Sequence, residues 1–455
     1  MNLTLPPFVH EIIEKFQKAG FKIYIVGGAV RDILMGKKVT DWDFTTNGTP
    51  EKILKLFPDG FYDNQFGTVG IAHKSSPKPY EITTFRRDIG YTDRRRPDKV
   101  EWGKTLEEDL ARRDFTINAM ALSERSESKG KLQIIDPFGG QADLKKKIIR
   151  AVGDPVKRFS EDALRMMRAI RIASELGFVI EDKTFEAIKM HVQFINHVSA
   201  ERIREELFKT LASKFPYEGI LMLRNSGLIR EILPELEQSF GVEQKSPERH
   251  HKYDVGTHLL LSLKNCPSHD PLVRFATLIH DIGKPATRKK TPRGIVTFYN
   301  HEVIGARMAK EIADRLRFSK DQRDRLWVLV RRHQFTVDDR QTDSSIRRFI
   351  KNVGKGNIQD MLDLRVGDRL GSGAKETSWR LEKFKKRIEE VQKQPFSVQD
   401  LKVNGRDVMK ILGIPSGPRI GEILNQLFEE VDKDPKKNKR VYLLGRVKEI
   451  DRETP

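Results

Sequence analysis

Cysteine is almost missing: Cys266 stands alone among 455 residues, so no disulfide can form within the chain. That excludes a small disulfide-stapled scaffold and suits a reducing, cytoplasmic setting. Long apolar runs are missing as well; none approaches the roughly 20 residues that a membrane helix needs. The stretch MNLTLPPFVHEIIEKFQKAG lacks the basic-then-apolar order of a signal peptide, and Val9, Ile12, Ile13 and Phe16 instead predict an amphipathic helix. No membrane partner is expected. Repeats and low-complexity tracts are also missing, which leaves ordinary globular domains. The sequence does not fix an oligomeric state.

What the chain has in excess is positive charge. Lys and Arg number 84 against 65 Asp and Glu, a formal net charge of +19 spread along the whole length. A polyanionic partner such as nucleic acid accounts for this; a solubilising surface is the plainer alternative. Hydrophobic residues make up 38%, enough for globular cores, and the length predicts two to four domains.

The stretch that organises the rest is FKIYIVGGAVRDILMGKKVTDWDFT. It reads as a strand over Phe21–Val26, a Gly27-Gly28 turn, a short helix from Ala29 to Met35, and a second strand carrying Asp41 and Asp43. Alternation along a strand puts both carboxylates on one side and Trp42 on the other. Two converging carboxylates repel, and a divalent cation relieves the repulsion. The glycine turn before a helix offers backbone N–H groups to an anion. Together these suggest metal-assisted phosphoryl or nucleotidyl transfer. Glu81, in the predicted strand PYEITTF, is a candidate third carboxylate; a strand-edge acid facing water is the alternative. FRRDIGYTDRRRPDKVEW then reads as a mobile basic loop beside the site. In LEEDLARRDFTINAMAL, Asp114 and Asn118 are expected on one face of a helix-like run.

GGAVRD followed by TDWDF resembles the active-site motif of the nucleotidyltransferase superfamily, in the branch of tRNA CCA-adding enzymes and bacterial poly(A) polymerases. That resemblance implies a multidomain α+β protein: an α/β head over 1–150, then all-α neck (151–244), HD (245–372) and tail (373–455) domains. It implies Mg²⁺ on Asp41 and Asp43 as catalytic ligands, with Gly28 and Arg31 holding the triphosphate. RRDFTINAMA is similar to the family's second motif, which gives Arg113 a nucleotide contact. DPFGGQADL is similar to the motif that closes the head, and ERIxxEL to a neck motif in which Glu201, Arg202 and Glu205 are braces.

The helical run RFSEDALRMMRAIRIASELGF spaces Asp162, Arg165 and Arg168 three apart, on neighbouring positions of one helical face. Intrahelical ion pairing is one reading. The other is base selection. Cytosine and adenine both present an amino donor beside a ring-nitrogen acceptor, which an aspartate and an arginine satisfy; uracil and guanine present a carbonyl there. The run resembles the amino-acid template of class II tRNA nucleotidyltransferases, implying that role for Asp162 and Arg165, with Arg168 and Arg171 as phosphate or base supports. The implied partners are tRNA, CTP and ATP, and the implied reaction is CCA addition to the tRNA 3' end. Poly(A) polymerase and A-only or CC-only enzymes are rivals within the class.

Beyond residue 245 histidines accumulate. His258, the His280-Asp281 doublet, His301, His333 and Asp368 are ligand types for a divalent transition metal or Mg²⁺, whose bound water hydrolyses phosphate esters. The pattern resembles the HD phosphohydrolase superfamily. His258, His280, Asp281 and Asp368 match its metal ligands, and His301 and His333 the extra histidines of two-metal members. A phosphohydrolase of nucleotides or RNA ends is the rival of another class. In the tail, ILGIPSGPRIGEIL reads as two helices and a Gly/Pro turn, either a plain connector or a helix-hairpin-helix contacting an RNA phosphate.

Overall fold

The computed structural model describes residues 5–62, 67–89, 99–124, 132–244, 253–338, 341–375, 378–392 and 398–453. Two compact units emerge, residues 1–242 with 269–275 and 311–319, and the remainder.

In the first unit, α1 (Pro7–Lys18) leads into β1 (Ile23–Val26), α2 (Gly28–Leu34), β2 (Asp43–Thr46), α3 (Pro50–Leu56), β3 (Phe61–Tyr62), β4 (Thr68–Ile71) and β5 (Tyr80–Thr84). A separate antiparallel ribbon pairs β6 (Arg86–Ile89) with β7 (Lys99–Trp102), then α4 (Leu106–Ala111), β8 (Ala121–Glu124), β9 (Leu132–Ile135) and α5 (Gly140–Lys146) follow. So the ends of the expected basic loop are paired strands, while residues 90–98 lie outside the described residues. The main sheet runs β3-β4-β5-β2-β1-β8-β9. Its centre is parallel only between β2 and β5.

The period-two pattern of β1 explains the layering. Ile23 and Ile25 join Val9, Ile12 and Phe16 of α1 in one core, and Val26 joins Leu106 and Leu110 of α4 in another on the opposite face. Thr105 caps α4 in a reciprocal box with Glu108, and Asp136 accepts from the backbone N–H of Gly140 and Gln141 at the start of α5.

The helical continuation contains α6 (Pro155–Glu161), α7 (Leu164–Leu176), α8 (Asp182–His191), α9 (Ala200–Ala212), α10 (Pro216–Asn225), α11 (Leu228–Ile232) and α12 (Pro234–Glu237). It is not purely helical: β10 (Ile148–Ile149) and β11 (Val179–Ile180) form a small parallel pair. Nor is the EDALR segment one helix. It breaks at Asp162, whose backbone is extended (φ −141°) and whose Oδ1 accepts the Leu164 N–H at 3.1 Å.

The second unit gathers α13 (Val255–Lys264), the C-terminal half of α14 (Pro271–Ile279), α15 (Lys284–Thr287), a hairpin of β12 (Lys289–Lys290) and β13 (Val296–Thr297), most of α16 (His301–Arg315), α17 (Lys320–Arg332), α18 (Asp343–Val353), α19 (Ile358–Gly371) and α20 (Trp379–Gln392). The tail is a helical trio, α21 (Gly405–Leu412), α22 (Pro418–Lys433) and α23 (Arg440–Glu453), around Val408, Ile423, Leu427 and Leu443. No helix among the described residues is long and apolar enough to cross a membrane.

Candidate functional sites

In the head, Asp43 opens β2 opposite Val26, on the α4 face of the sheet, while Trp42 and Phe44 are buried in the α1 core. Asp41 precedes the strand and does not lie within it, a difference from the sequence expectation; its side chain is about half exposed, at 51%. Glu81 stands beside Asp43 in the parallel β2–β5 register, so the two project from the same face. Burial pushes the Asp43 carboxyl up, Asp41 adds to the rise, and the Arg113 guanidinium opposes it. The site therefore calls for a cation. Lys78 supplies one, with its Nζ 2.6 Å from Asp41 Oδ2, and its ammonium is raised by that hydrogen bond and by the charges of Asp43 and Glu81. The donor set is all carboxylate oxygen, which fits a hard divalent ion.

Gly27 is the reason the turn can come this close. Its φ is +72°, and a Cβ there would stand 3.1 Å from Asp43 Oδ2 and 3.3 Å from Arg113 Nη1. Carboxylate and guanidinium thus both close on the glycine. Gly28 starts α2, and Arg31 on its first turn is held by Asp32 Oδ1 (2.8 Å) and by Asn118 Oδ1 (3.1 Å).

The RRD segment follows α4 and does not start a helix. Phe115 bridges to Ala151, Thr116–Asn118 form one 3₁₀ turn, and the chain enters β8. The tight turn still brings Asn118 Nδ2 to 3.4 Å from Asp114 Oδ1. Asp109, fully buried, accepts from Arg112 Nη2 at 2.7 Å and from Arg113 Nη2 at 3.1 Å. Arg113 Nε is buried with no hydrogen-bond partner among the described residues.

Asp162 and Arg165 are tethered separately. Asp162 pairs with Arg202 at 3.0 Å, while Arg165 donates to Glu161 Oε2 (2.8 Å), Arg158 O (3.2 Å) and Arg112 O (3.0 Å). Arg168 grips Asp114 through Nε (2.8 Å) and Nη2 (2.6 Å), and Arg171 holds Glu206 (2.6 Å) and Glu175 (2.8 Å). Both of these arginines are thus engaged by carboxylates.

The second unit brings all six expected groups together. His258 on α13, the His280-Asp281 doublet just past α14, His301 at the start of α16, His333 just past α17, and Asp368 on α19 converge on a cavity of about 700 Å³. His258 Nε2 lies 3.2 Å from His280 Nε2 and 3.4 Å from Asp368 Oδ1. Asp281 divides its oxygens: Oδ1 faces His301 (3.1 Å) and His333 (3.4 Å), and Oδ2 faces His280 (3.4 Å) and Lys284 (2.5 Å). Two overlapping groups with metal-holding geometry result, His258–His280–Asp368 and His280–Asp281–His333. Such separations are those between ligand atoms sharing an ion with bonds of about 2.1 Å.

The rings are aimed in advance. Nδ1 of His280, His301 and His333 lies 2.8, 2.7 and 2.7 Å from the carbonyls of Thr277, Phe298 and Val330. A proton on Nδ1 leaves the Nε2 lone pair facing inward, as metal-ligating histidines require. His301 Nε2 accordingly faces the buried Asp281 Oδ1. Burial disfavours the His280 imidazolium, yet the Asp281 and Asp368 charges outweigh it and push the ring up to about 10. This cluster demands positive charge, and its mixed N and O donors fit a transition metal.

Lys78, Asp109 and Lys284 were not singled out in the sequence. Asp109 could have been, since it stands three and four residues before the two arginines on a helical turn. Nothing local marks Lys78.

A nucleotidyltransferase head, a helical region and an HD unit define the class. The Poly A polymerase head domain model matches residues 23–150, "Probable RNA and SrmB- binding site of polymerase A" 177–240, the HD domain 251–363, and "tRNA nucleotidyltransferase domain 2 putative" 318–446. The CCA-adding enzyme of Pediococcus pentosaceus is 32% identical over 443 residues, 97% of each chain, and on this evidence the chain belongs to the CCA-adding enzyme family. The CCA-adding enzyme of Geobacillus kaustophilus is 44% identical over 226 residues, 49% of this chain and about half (54%) of that protein's length. Among solved structures, the Bacillus stearothermophilus CCA-adding enzyme in complex with CTP aligns over 99% of both chains with a TM-score of 0.70 and 27% identity. The Thermotoga maritima enzyme complexed with tRNA shares the fold at a TM-score of 0.60 and 21% identity. Head and HD families are both metal-dependent.

Proposed function

We propose that the protein adds C, C and A to the 3' end of tRNA from CTP and ATP without a nucleic-acid template, in the cytoplasm. The observation that carries this is the approach of both Asp43 and Arg113 to Gly27, with Arg165 tied to the same RRD segment through Arg112 O. Relatives named CCA-adding enzymes support it, one of them over 97% of its length.

Asp41 and Asp43, with Glu81 as a third ligand, would hold Mg²⁺, which lowers the pKa of the primer hydroxyl and offsets charge on the pyrophosphate. The tRNA 3'-oxygen attacks the α-phosphorus, its proton leaves to solvent, and the bond to the bridging oxygen of pyrophosphate breaks. Arg113 steadies the nucleotide, its Nη1 beside Gly27 donating to a phosphate oxygen, and Arg31 takes the triphosphate. Asp162 and Arg165 read the base edge. Arg202, paired with Asp162, braces that carboxylate for the amino group it accepts from.

A second activity rests on a separate observation, the convergent Nε2 atoms of the HD cluster. It is metal-dependent hydrolysis of phosphate esters on nucleotides or RNA ends; His258, His280, Asp281, Asp368, His301 and His333 would hold the metal, and His280 is common to both candidate groups. The chain is accordingly divided into head (1–150), neck (151–244), HD (245–372) and tail (373–455).

The test is incubation with tRNA transcripts lacking CCA, or ending in C or CC, with each labelled nucleotide. Stepwise addition of C, C and a single A is expected. Runs of A would favour a poly(A) polymerase, and a single A added only to CC-ended tRNA would favour an A-adding enzyme.

A further inference from the structure

We propose that Asp114 is a positioning residue for base choice: its grip on Arg168 sets where the base-reading helix α7 stands relative to the triphosphate side of the site. The proposal rests on the reading of Asp162 and Arg165 as base selectors.

Asp114 is buried, and both its oxygens are committed. Oδ2 takes two N–H groups from Arg168, and Oδ1 takes the Phe115 N–H at 2.8 Å and faces Asn118 Nδ2 at 3.4 Å. Asn118 Oδ1 in turn accepts from Arg31 Nη1. A continuous path Arg31–Asn118–Asp114–Arg168 therefore runs from the triphosphate side into α7. Arg165 lies one turn before Arg168 on that helix and is itself anchored on Arg112 O. Residues 112 and 114 thus fix two successive turns of the selector helix. Asp109 works on the other side of the same segment, holding Arg112 and Arg113 and touching nothing on α7 in the interactions described.

The consequence is a division of labour within DLARRD. Asp109 orients the guanidinium that faces phosphate, which every nucleotide shares. Asp114 orients the helix that faces the base, where nucleotides differ. A base edge displaced by about 1 Å loses directional hydrogen bonds steeply, whereas phosphate attraction falls off gradually.

The experiment compares kcat/KM for CTP and UTP on a CC-accepting tRNA in wild type, Asp114→Asn, Arg168→Lys and Asp109→Asn, with thermal melts of each. Asp114→Asn should lower the CTP:UTP ratio about tenfold, chiefly through KM for CTP. Arg168→Lys keeps the charge but loses the fork, and should lower the ratio by a smaller factor. Asp109→Asn should slow both nucleotides alike and leave the ratio unchanged. If Asp114→Asn does not fold, Arg168→Lys decides: an unchanged ratio in a folded variant overturns the proposal. An equal loss for CTP and UTP in Asp114→Asn also overturns it, because a merely structural role predicts that. A wild-type protein that prefers neither CTP nor ATP would sink the selector reading, and this proposal with it.

Discussion

The head and the HD unit each gather acids around a point, and they hold them in opposite ways. In the head, Asp41 is half exposed, Asp43 is half-buried, and the charge between them is met by a lysine on a loop. In the HD unit all four imidazoles of the cluster are buried, and three are anchored by Nδ1 to backbone carbonyls. On the proposed function the first would be an open set of oxygens that an arriving triphosphate completes, and the second a set of ligands already in place. A centre that shares its ion with the substrate binds it weakly and exchanges it at each turnover, while one with five or six protein ligands retains it.

The largest effect should come from separating the two chemically. Asp43→Ala should reduce CMP and AMP transfer at least about 10³-fold, the loss of several kcal/mol of charge stabilisation. Hydrolysis of a 2',3'-cyclic phosphate should not change, and loss of both activities would break the two-centre account. The mirror experiment, His280→Ala with Asp281→Ala, should abolish hydrolysis by a similar factor and leave transfer within about twofold. Unchanged hydrolysis would discard this ligand set.

Metal removal sharpens the contrast. After brief chelation and gel filtration, transfer should be lost and return at once with millimolar Mg²⁺. Metal analysis of the same sample should find transition metal retained in the wild type and missing from the His280/Asp281 variant. Next in size is Gly27→Ala, which places a Cβ against Asp43 and Arg113 at a positive φ; transfer should fall about 10- to 100-fold with hydrolysis untouched.

The smallest effect is on stability. Burial alone would raise the Asp114 carboxyl, but Arg168 holds it down at about 2. A lowered carboxylate stabilises the fold above its unfolded value near 4, and the contribution disappears as pH falls from about 4 towards 2. The pair should therefore be worth about 2 kcal/mol at neutral pH. Urea unfolding of wild type and Asp114→Asn should differ by about that much at pH 7, and the difference should shrink below about pH 4 and vanish only below about pH 2.

The same contrast governs what the sequence disclosed. The HD cluster was readable because core packing alone seldom places four histidines and two aspartates on or beside apolar helices. Their convergence, however, depends on helix packing that no local pattern encodes. The glycine turn and the Asp-Trp-Asp alternation were readable because strand periodicity is local: Trp42 and Phe44 face one core and Asp43 the other face. The break at Asp162 was not. ALRMMRAIRIA is strongly helix-forming, and the interruption comes from Asp162 capping α7 and pairing with Arg202, forty residues away. The turn after RRD was hidden likewise, because Thr116 is held by Asp143 and Phe115 by Ala151, contacts remote in sequence. Lys78 became visible only when the β2–β5 register placed its loop over Asp41.

Anomalous scattering from a crystal grown with Mn²⁺ and CTP tests the two-centre claim most directly. The account predicts one peak between Asp41, Asp43 and the triphosphate, and another among His258, His280, Asp281 and Asp368. A head peak that persists without CTP at equal height, or no peak in the HD cavity, would contradict it.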